Sequence, residues 1–426
     1  MFNIAVVLLV ITAGVAYINH RFVRLPTAIG VMVIALVGSL VLALLSGLGF
    51  GGLHAYETSL LHAIDFPEVV LKGMLSVLLF AAALGVDFSD LHAYRWHVTA
   101  LAVLGTMAST LLIGGAVWLA LGWAGLSLSL PYCLIFGALI SPTDPVAVAG
   151  IIRTAGAPRS LDVIISGESL FNDGIGVVLF TMLLGMIADG GAPDWGHGAV
   201  LLAREAGGGL VYGLVLGYII YRLLRTIDNY QVEILITLAA VLGGYALARE
   251  LEVSGPLAMV VAGLVVGEHG REFGMSELTR KHHDEFWELL DWMLNSVLFV
   301  LIGLEFAAVT FSLQVLLVSA GMIVVALLAR LLCAGAPMAV LSRYFNMPRG
   351  AWQVLTWGGL RGAISIALAL SLPVGPSRDL ILGMTYYIVV FSILVQGLSI
   401  GKVVRWATRK GAEAGEGESV RETGSS

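Results

Sequence analysis

Charged residues and cysteines are both scarce in this chain. Only 12% of its 426 residues are charged, against about 25% in a typical soluble domain, while 58% are apolar. No ordinary soluble protein of this length hides so many apolar residues behind so few charges, so the sequence predicts an integral membrane protein. The 23 basic residues are outnumbered by 29 acids and form no single patch, which disfavours nucleic-acid binding. Cys133 and Cys333 both lie in apolar stretches and are interpreted as packed thiols, not as a disulfide or metal framework.

The sequence pattern predicts neither a cleavable signal peptide nor a soluble catalytic domain. Residues 1–18 lack a basic start and precede a basic cluster, His20, Arg21 and Arg24, as in a retained first helix. The chain is predicted to form one transmembrane domain, 1–408, followed by a short polar cytoplasmic tail, 409–426, that is disordered. An ATP-driven pump is therefore disfavoured, and no cofactor is expected.

Hydropathy predicts an all-α, polytopic fold with about thirteen transmembrane helices. A bilayer core about 30 Å thick requires roughly 20 apolar residues per spanning helix. With the N-terminus outside, 17 of the 23 basic residues fall on the cytoplasmic side and only four near the outer face, which follows the positive-inside rule. The sequence thus predicts a multi-pass protein of the cell (inner) membrane with a cytoplasmic C-terminus. The predicted segments are residues 3–19, 26–48, 67–87, 97–122, 130–151, 160–188, 199–221, 230–249, 256–268, 287–308, 312–340, 350–372 and 380–402. The ninth is the shortest, and the sixth and eleventh are long enough to be tilted or broken.

The fifth segment contains two prolines at membrane depth, Pro142 and Pro145. Each lacks a backbone N–H and disfavours helical geometry in the residue before it, so the helix is predicted to break here. Broken backbone at this depth is tolerated only where it lines a cavity or is buried in protein, which makes Asp144 a candidate functional residue. The alternative is that Asp144 only caps the half-helix beginning at Pro145.

The sixth segment carries a second polar run. At helical spacing, Ser169 and Asp173 share one face, and Glu168 and Asn172 share the adjoining face. One helical turn can therefore direct two carboxylates, a hydroxyl and an amide into a single cavity. Such oxygens suit a hard cation such as Na⁺ or Li⁺, and the run contains no thiolate or imidazole to favour zinc or copper. The alternative is a purely structural polar cluster between helices.

The twelfth segment places a buried arginine, Arg361, among three glycines that include Gly358 and Gly359. The glycines predict a second weakened or unwound helix. Arg361 is predicted to neutralise Glu168 or Asp144, or to face the negative ends of half-helices. Interrupted helices in corresponding halves of a chain are typical of transporters with inverted repeats and a binding site at the bilayer midplane.

The chemistry of Asp173 predicts antiport. A buried carboxyl favours the protonated form, whereas a bound cation favours the carboxylate, so proton and cation compete for one group. Asn172 stands where a double-aspartate site would have a second exchanging acid. With Glu168 held ionised by Arg361, the simplest stoichiometry is one cation per proton, which makes the exchange electroneutral.

These motifs resemble those of the bacterial NhaP-type sodium/proton antiporters of the first monovalent cation/proton antiporter family. The resemblance rests on residues 136–156 with Thr143-Asp144-Pro145, on residues 165–180 with Glu168-Ser169-x-x-Asn172-Asp173, and on the stretches 294–304 and 358–362. It implies a thirteen-helix fold of two inverted six-helix repeats with crossed unwound helices. It also implies a homodimer that works by an elevator-like movement.

The same resemblance implies a role for each site residue. Asp173 would be the principal carrier of cation and proton, with Ser169 and the Thr143 carbonyl also binding the ion. Asp144 and Glu168 would contribute directly or through water. Asn172 would tune the site and Arg361 would stabilise its charge.

One position departs from the family pattern. Many relatives have an acid in the third helix that is thought to pair with the arginine of the twelfth, whereas this chain has Ala81 there. Arg361 must then rely on Glu168 or Asp144 alone, or be helped by Asp87 one helix-length deeper.

Charged and titratable groups outside these motifs are interpreted as structural. Arg330, in the eleventh segment, is interpreted as paired within the helix bundle. The longest inner loop, residues 268–286, carries His269, His282 and His283 and is interpreted as a solvated interfacial loop. A pH sensor is the alternative for this loop.

The sequence therefore predicts a transporter, not an enzyme, that exchanges Na⁺, and also Li⁺ or K⁺, for protons. A cation channel or sensor using the same oxygens without proton coupling is the principal alternative, and a proton-coupled symporter is another. An intramembrane hydrolase is a third, disfavoured because Ser166 and Ser169 have no histidine at membrane depth.

Overall fold

The computed structural model describes residues 2–47, 65–123, 125–126, 128–144, 146–188, 195–270, 276–305, 313–341 and 350–407. Pro145 and the predicted tail, 409–426, lie outside these residues. Across the described ranges the chain is helical and contains no β-strand. Nine of the described helices are long and apolar enough to cross a membrane. Each of the thirteen predicted segments coincides with a helix or an interrupted helix, which confirms the all-α fold.

The α-helices are numbered here in chain order. They are α1 (Phe2–Ile18), α2 (Thr27–Gly47), α3 (Leu75–Leu84), α4 (Phe88–Ala93), α5 (Arg95–Thr99), α6 (Thr106–Trp123), α7 (Leu130–Ile140), α8 (Val146–Thr154), α9 (Arg159–Ala188), α10 (Trp195–Leu224), α11 (Tyr230–Glu250), α12 (Gly255–Val265), α13 (Glu277–Glu305), α14 (Leu313–Arg330), α15 (Ala336–Leu341), α16 (Ala351–Trp357), α17 (Ala363–Leu370), α18 (Pro376–Phe391) and α19 (397–407). Wider π-helical turns continue or join several of them, at Asn19–Val23, Glu68–Met74, Ala100–Gly105, Val266–Gly270, Leu331–Gly335 and Ser392–Gln396.

Two crossings are interrupted where the sequence predicts weak helix. The fifth divides into α7 and α8 around Pro142, and the twelfth divides into α16 and α17 around the glycines that begin at Gly358. The amide of Asp144 donates to the carbonyl of Leu360 at 2.8 Å, so the two breaks are in direct contact. The sixth crossing is the unbroken 30-residue helix α9.

The short ninth crossing lies in the interior of the bundle. Ten of the eleven residues of α12 are buried. Three glycines of α10 at four-residue spacing face it, and a Cβ on Gly209, Gly213 or Gly217 would lie within 2.9 Å of an α12 or Ser254 atom. Small residues of this kind allow two membrane helices to approach closely. Because neighbouring helices enclose α12, its apolar length does not have to match the lipid.

Contacts between loops support the predicted alternation of crossings. Arg159 pairs with Asp87 at 2.9 Å, and the Ser276 hydroxyl donates to Asp228 at 2.8 Å; all four residues lie in loops or at helix ends predicted to be cytoplasmic. Arg204 pairs with Glu252 at 2.8 Å on the face predicted to be external. Each contact thus joins positions predicted on the same side. Which side is cytoplasmic stays a prediction.

The interpretation of residues 268–286 as a solvated loop is wrong for its second half. Helix α13 begins at Glu277 and includes both histidines of that half. His283 is buried, accepts a hydrogen bond from Trp287 Nε1 at 3.1 Å and contacts the Thr237 hydroxyl at 3.3 Å. Its two polar partners, Thr237 on α11 and Trp287 on α13 itself, explain why a histidine is tolerated there. The side chain of His269 lies outside the described residues.

Candidate functional site

The polar residues of the fifth and sixth crossings meet in one hydrogen-bonded group. Asn172 accepts from the Thr143 amide at 3.3 Å and donates through Nδ2 to the Thr143 hydroxyl at 2.9 Å. That hydroxyl also lies 2.9 Å from the hydroxyl of Ser169. All three side chains are buried, so the broken backbone around Thr143 is held by α9 rather than by water. The structure therefore brings together Thr143, Ser169 and Asn172 as the sequence predicts.

Arg361 lies at the carbonyl end of the first half-helix of the fifth crossing. Its Nη1 donates to the carbonyls of Ser141 at 2.5 Å and Pro142 at 2.8 Å, and the side chain is 3% exposed. Its own amide donates to the Ser392 hydroxyl at 2.9 Å. A guanidinium at this position stabilises the partial negative charge of the α7 C-terminus. Of the three roles left open for Arg361, the structure thus supports the one facing a half-helix end.

The buried ion pair of the site is formed by Arg330 and Glu168. The two side chains meet in a bidentate pair, with Nη2 to Oε2 at 2.8 Å and a second contact from Nη1 to Oε1. Arg330 also donates through Nε to the Leu355 carbonyl at 3.1 Å. Glu168 is 1% exposed, and a charge so deeply buried requires a partner of this kind.

This pair corrects the predicted electrostatics in two respects. The ion-pair partner of Glu168 is Arg330, not Arg361, so the interpretation of Arg330 as a bundle pairing is confirmed. The suggestion that Asp87 supports Arg361 is wrong, because Asp87 caps α4 and pairs with Arg159 at the protein surface. There the hydrogen bond from the Ser89 hydroxyl, with the Asp90 and Ser89 amides and Arg159, lowers the pKa of Asp87.

Asp173 faces a cavity of about 540 Å³. Its side chain is 7% exposed, and within the described part of the chain it has no hydrogen-bond or ion-pair partner. Asp144 lines the same cavity, as do Pro142 and Gly362 at the two helix breaks. The neighbouring polar side chains Thr143, Asn172 and Glu168 are all bonded within the protein. A buried carboxylate that faces a cavity in the membrane interior and has no partner among the described residues is suited to exchange one bound cation for another.

Comparison with known proteins identifies the family to which this chain belongs. The family described as "Sodium/hydrogen exchanger, transmembrane" matches residues 6–406. The chain belongs to the sodium/hydrogen exchanger family. Over 409 residues it is 49% identical to the Na⁺/H⁺ antiporter NhaP of Pseudomonas aeruginosa, covering 95% of this chain and 96% of that one. It is 35% identical over 345 residues to the Na⁺/H⁺ antiporter NhaH of Halobacillus aidingensis, covering 80% and 83% of the two chains.

A solved antiporter structure shares the fold of this chain. The sodium proton antiporter MjNhaP1 from Methanocaldococcus jannaschii, at pH 8, matches with a TM-score of 0.73 at 20% identity, over 94% of this chain and 97% of that one. The resemblance to NhaP-type sodium/proton antiporters predicted from the motifs is confirmed by the family match and by the identity to NhaP. The multi-pass helical architecture is confirmed by the shared fold. The inverted repeats and the homodimer stay predictions.

Close packing at the helix breaks leaves no space for a side chain at Gly362. The φ of Gly362 is −126°, which any residue adopts, so the requirement is for space. A Cβ at Gly362 would lie 2.7 Å from Cβ and Cγ of Asp144 and would overlap its carboxylate. Gly359 approaches Arg330 similarly, with an added Cβ 2.6 Å from Nε.

We expect Gly362→Ala to slow exchange by about 10–100-fold, because displacing Asp144 by a fraction of an ångström misaligns both breaks. The measurement is the initial rate of cation-driven pH change in vesicles at matched protein content. Gly321→Ala on α14 is the control, since nothing lies within 4 Å of an added Cβ there. A folded Gly362→Ala variant with the wild-type rate would contradict the packing argument.

Sequence reasoning missed two contributors to this site and the partner of a third. A single arginine in an otherwise apolar segment indicates that Arg330 is paired within the bundle, but it does not identify Glu168 as the partner. Ser392 gave no signal, because one hydroxyl in an apolar helix is unremarkable. Asp291 was also missed, and it lines the cavity that Asp173 faces.

Proposed function

We propose that this chain exchanges monovalent cations for protons across the membrane, and that Asp173 carries either ion in turn. The observation that supports this most directly is the isolation of the Asp173 carboxylate, buried at a cavity and unpaired within the described residues. A carboxylate in such surroundings must be neutralised by a proton or by a cation. Because the Asp173 carboxylate holds one ion at a time, each replacement of a proton by a cation couples the proton flux to the cation flux.

The cation is proposed to be Na⁺, with Li⁺ and K⁺ as further substrates. The oxygens of Asp173, Ser169 and Thr143 are hard ligands of the type that alkali cations prefer. The relatives from Pseudomonas aeruginosa and Halobacillus aidingensis are named Na⁺/H⁺ antiporters, which supports Na⁺ as the principal ion. In this proposal Asn172 holds Thr143 in place through its two hydrogen bonds.

The charges around the breaks support a stoichiometry of one cation per proton. Three carboxylates lie there, those of Asp144, Glu168 and Asp173, together with the guanidiniums of Arg330 and Arg361. The two arginines offset two of the three negative charges. In this proposal Asp173 alone changes its occupant, one cation for one proton, so the loaded site has the same charge in both halves of the cycle.

The transport cycle is proposed to be one of alternating access in a homodimer in the lipid bilayer. The N-terminus would lie outside, so that the cavity lined by Asp173 opens to the cytoplasm in the conformation described. The contact between the two breaks would let the site move as one unit, because the Asp144 amide is bonded to the Leu360 carbonyl.

Purified protein in liposomes tests the proposal. A proton gradient is first established across the vesicle membrane. Adding Na⁺, Li⁺ or K⁺ should then dissipate the gradient, which is measured by the dequenching of a pH dye. A voltage-sensitive dye in the same vesicles should report no potential beyond that of protein-free vesicles. Cation flux that does not move protons would instead indicate a channel, and a clear voltage signal would exclude the one-to-one stoichiometry.

A further inference from the structure

Three acids of α13 line the cavity that leads to Asp173. Asp284, Glu288 and Asp291 are spaced by four and three residues, so they share one face of the helix. All three line the cavity, as does Asn295 one turn farther along. Asn295 is buried and donates through Nδ2 to Asp291 Oδ1 at 3.0 Å. The innermost of the three carboxylates is therefore held in place by a side chain that is itself fixed.

The other charged groups around the cavity leave its potential negative. From the loop after α7 comes Asp144, from α9 Asp173, and from α8 Arg153. The Arg153 guanidinium is 2.9 Å from Asp162, so its positive charge is matched by an acid outside the cavity. His283 Nδ1 lies 4.0 Å from Asp284 Oδ1 at the outer end of the acidic face.

The acids converge on a group that requires a ligand. Asp173 is more than nine-tenths buried, lines the same cavity and has no hydrogen-bond or ion-pair partner among the described residues. A cleft lined by charges of one sign and bounded by apolar walls concentrates the field and raises the local concentration of counter-ions. A cavity with this lining therefore favours the accumulation of cations near Asp173.

We propose that Asp291 is a positioning residue for exchange. Its fixed negative charge sets the electrostatic potential at Asp173 and thereby strengthens the binding of both competing ions, the transported cation and the proton. It acts through Asp173 and is not itself the exchanging group. The inference rests on the proposed function, because it requires Na⁺ and H⁺ to compete for Asp173.

An electrostatic role has a specific kinetic signature. Na⁺ and H⁺ carry the same charge, so removing the potential of Asp291 weakens the binding of both by a similar factor. Where protons are scarce, the apparent KM for Na⁺ rises by that factor. Where protons compete strongly, the weaker Na⁺ binding is cancelled by the weaker proton binding, and the apparent KM stays at the wild-type value. A residue that contacted Na⁺ directly would instead raise KM at every pH.

The experiment measures the apparent KM for Na⁺ in proteoliposomes at the alkaline and acidic ends of the active range. Asp291→Asn should raise KM by about three- to tenfold at alkaline pH and leave it within about 1.5-fold of wild type at acidic pH. Asp291→Glu, which keeps the charge, should restore the wild-type KM. Glu288→Gln should show the same pH-dependent pattern with a smaller factor.

Glu285→Gln is the matched control, since Glu285 lies on α13 but does not line the cavity and its side chain is 58% exposed. It should leave KM unchanged at both pH values. The inference is overturned if Asp291→Asn keeps the wild-type KM at alkaline pH, or if the factor by which it raises KM is the same at every pH. The proposed function fails separately, if wild-type KM for Na⁺ does not rise as the pH falls.

Discussion

Asp173→Asn is expected to lower cation-driven proton movement by about 100-fold or more, to the level of protein-free vesicles. Asparagine keeps the size and an oxygen of the side chain, but it can carry neither the proton nor the negative charge that holds a cation. Glu168 cannot replace it, because its carboxylate is committed to Arg330. The measurement is the dye-dequenching rate with Na⁺, Li⁺ and K⁺ in turn.

The matched control for this substitution is Glu252→Gln. It also converts a carboxylate to an amide, but Glu252 is 72% exposed and pairs with Arg204 far from the cavity. Its exchange rate should equal that of the wild type. Exchange that survives in a folded Asp173→Asn variant would mean that another group carries the proton.

The second large effect is expected on stability. Removing one partner of the Glu168–Arg330 pair leaves a buried charge without compensation, so Glu168→Gln and Arg330→Met should each destabilise the protein by about 3–5 kcal/mol. The double variant removes both charges at once and should lose less than the sum of the two single changes. Unfolding of purified protein, followed at increasing temperature or denaturant in one lipid–detergent mixture, measures the three losses.

The exposed pair of Arg204 and Glu252 provides the comparison for this unfolding measurement. Arg204→Gln breaks a pair whose side chains are 59% and 72% exposed, so it should cost about 0–1 kcal/mol. Strict additivity of Glu168→Gln and Arg330→Met would show that the two charges do not depend on each other, contrary to the bidentate contact between them.

The crossings and the two breaks could be predicted from the sequence because their causes are local. A run of consecutive apolar residues long enough to cross a bilayer can be recognised directly in the sequence. Pro142 interrupts a helix whatever that helix packs against. The shared face of Ser169 and Asp173 follows from helical spacing alone. These features would be the same in any packing of the chain.

The pairing of charges was decided only by the tertiary structure. Glu168 and Arg330 are 162 residues apart, and nothing in their local sequence distinguishes Arg330 from Arg361 as the partner. Likewise, His283 is enclosed because α13 packs on α11 at Thr237, although its neighbours in sequence are charged. A buried ion takes the counter-charge that packing brings within bonding distance. The sequence by itself therefore determined which polar groups fall within apolar segments. The three-dimensional packing determined which of them are neutralised within the protein, and that Asp173 has no hydrogen-bond or ion-pair partner among the described residues.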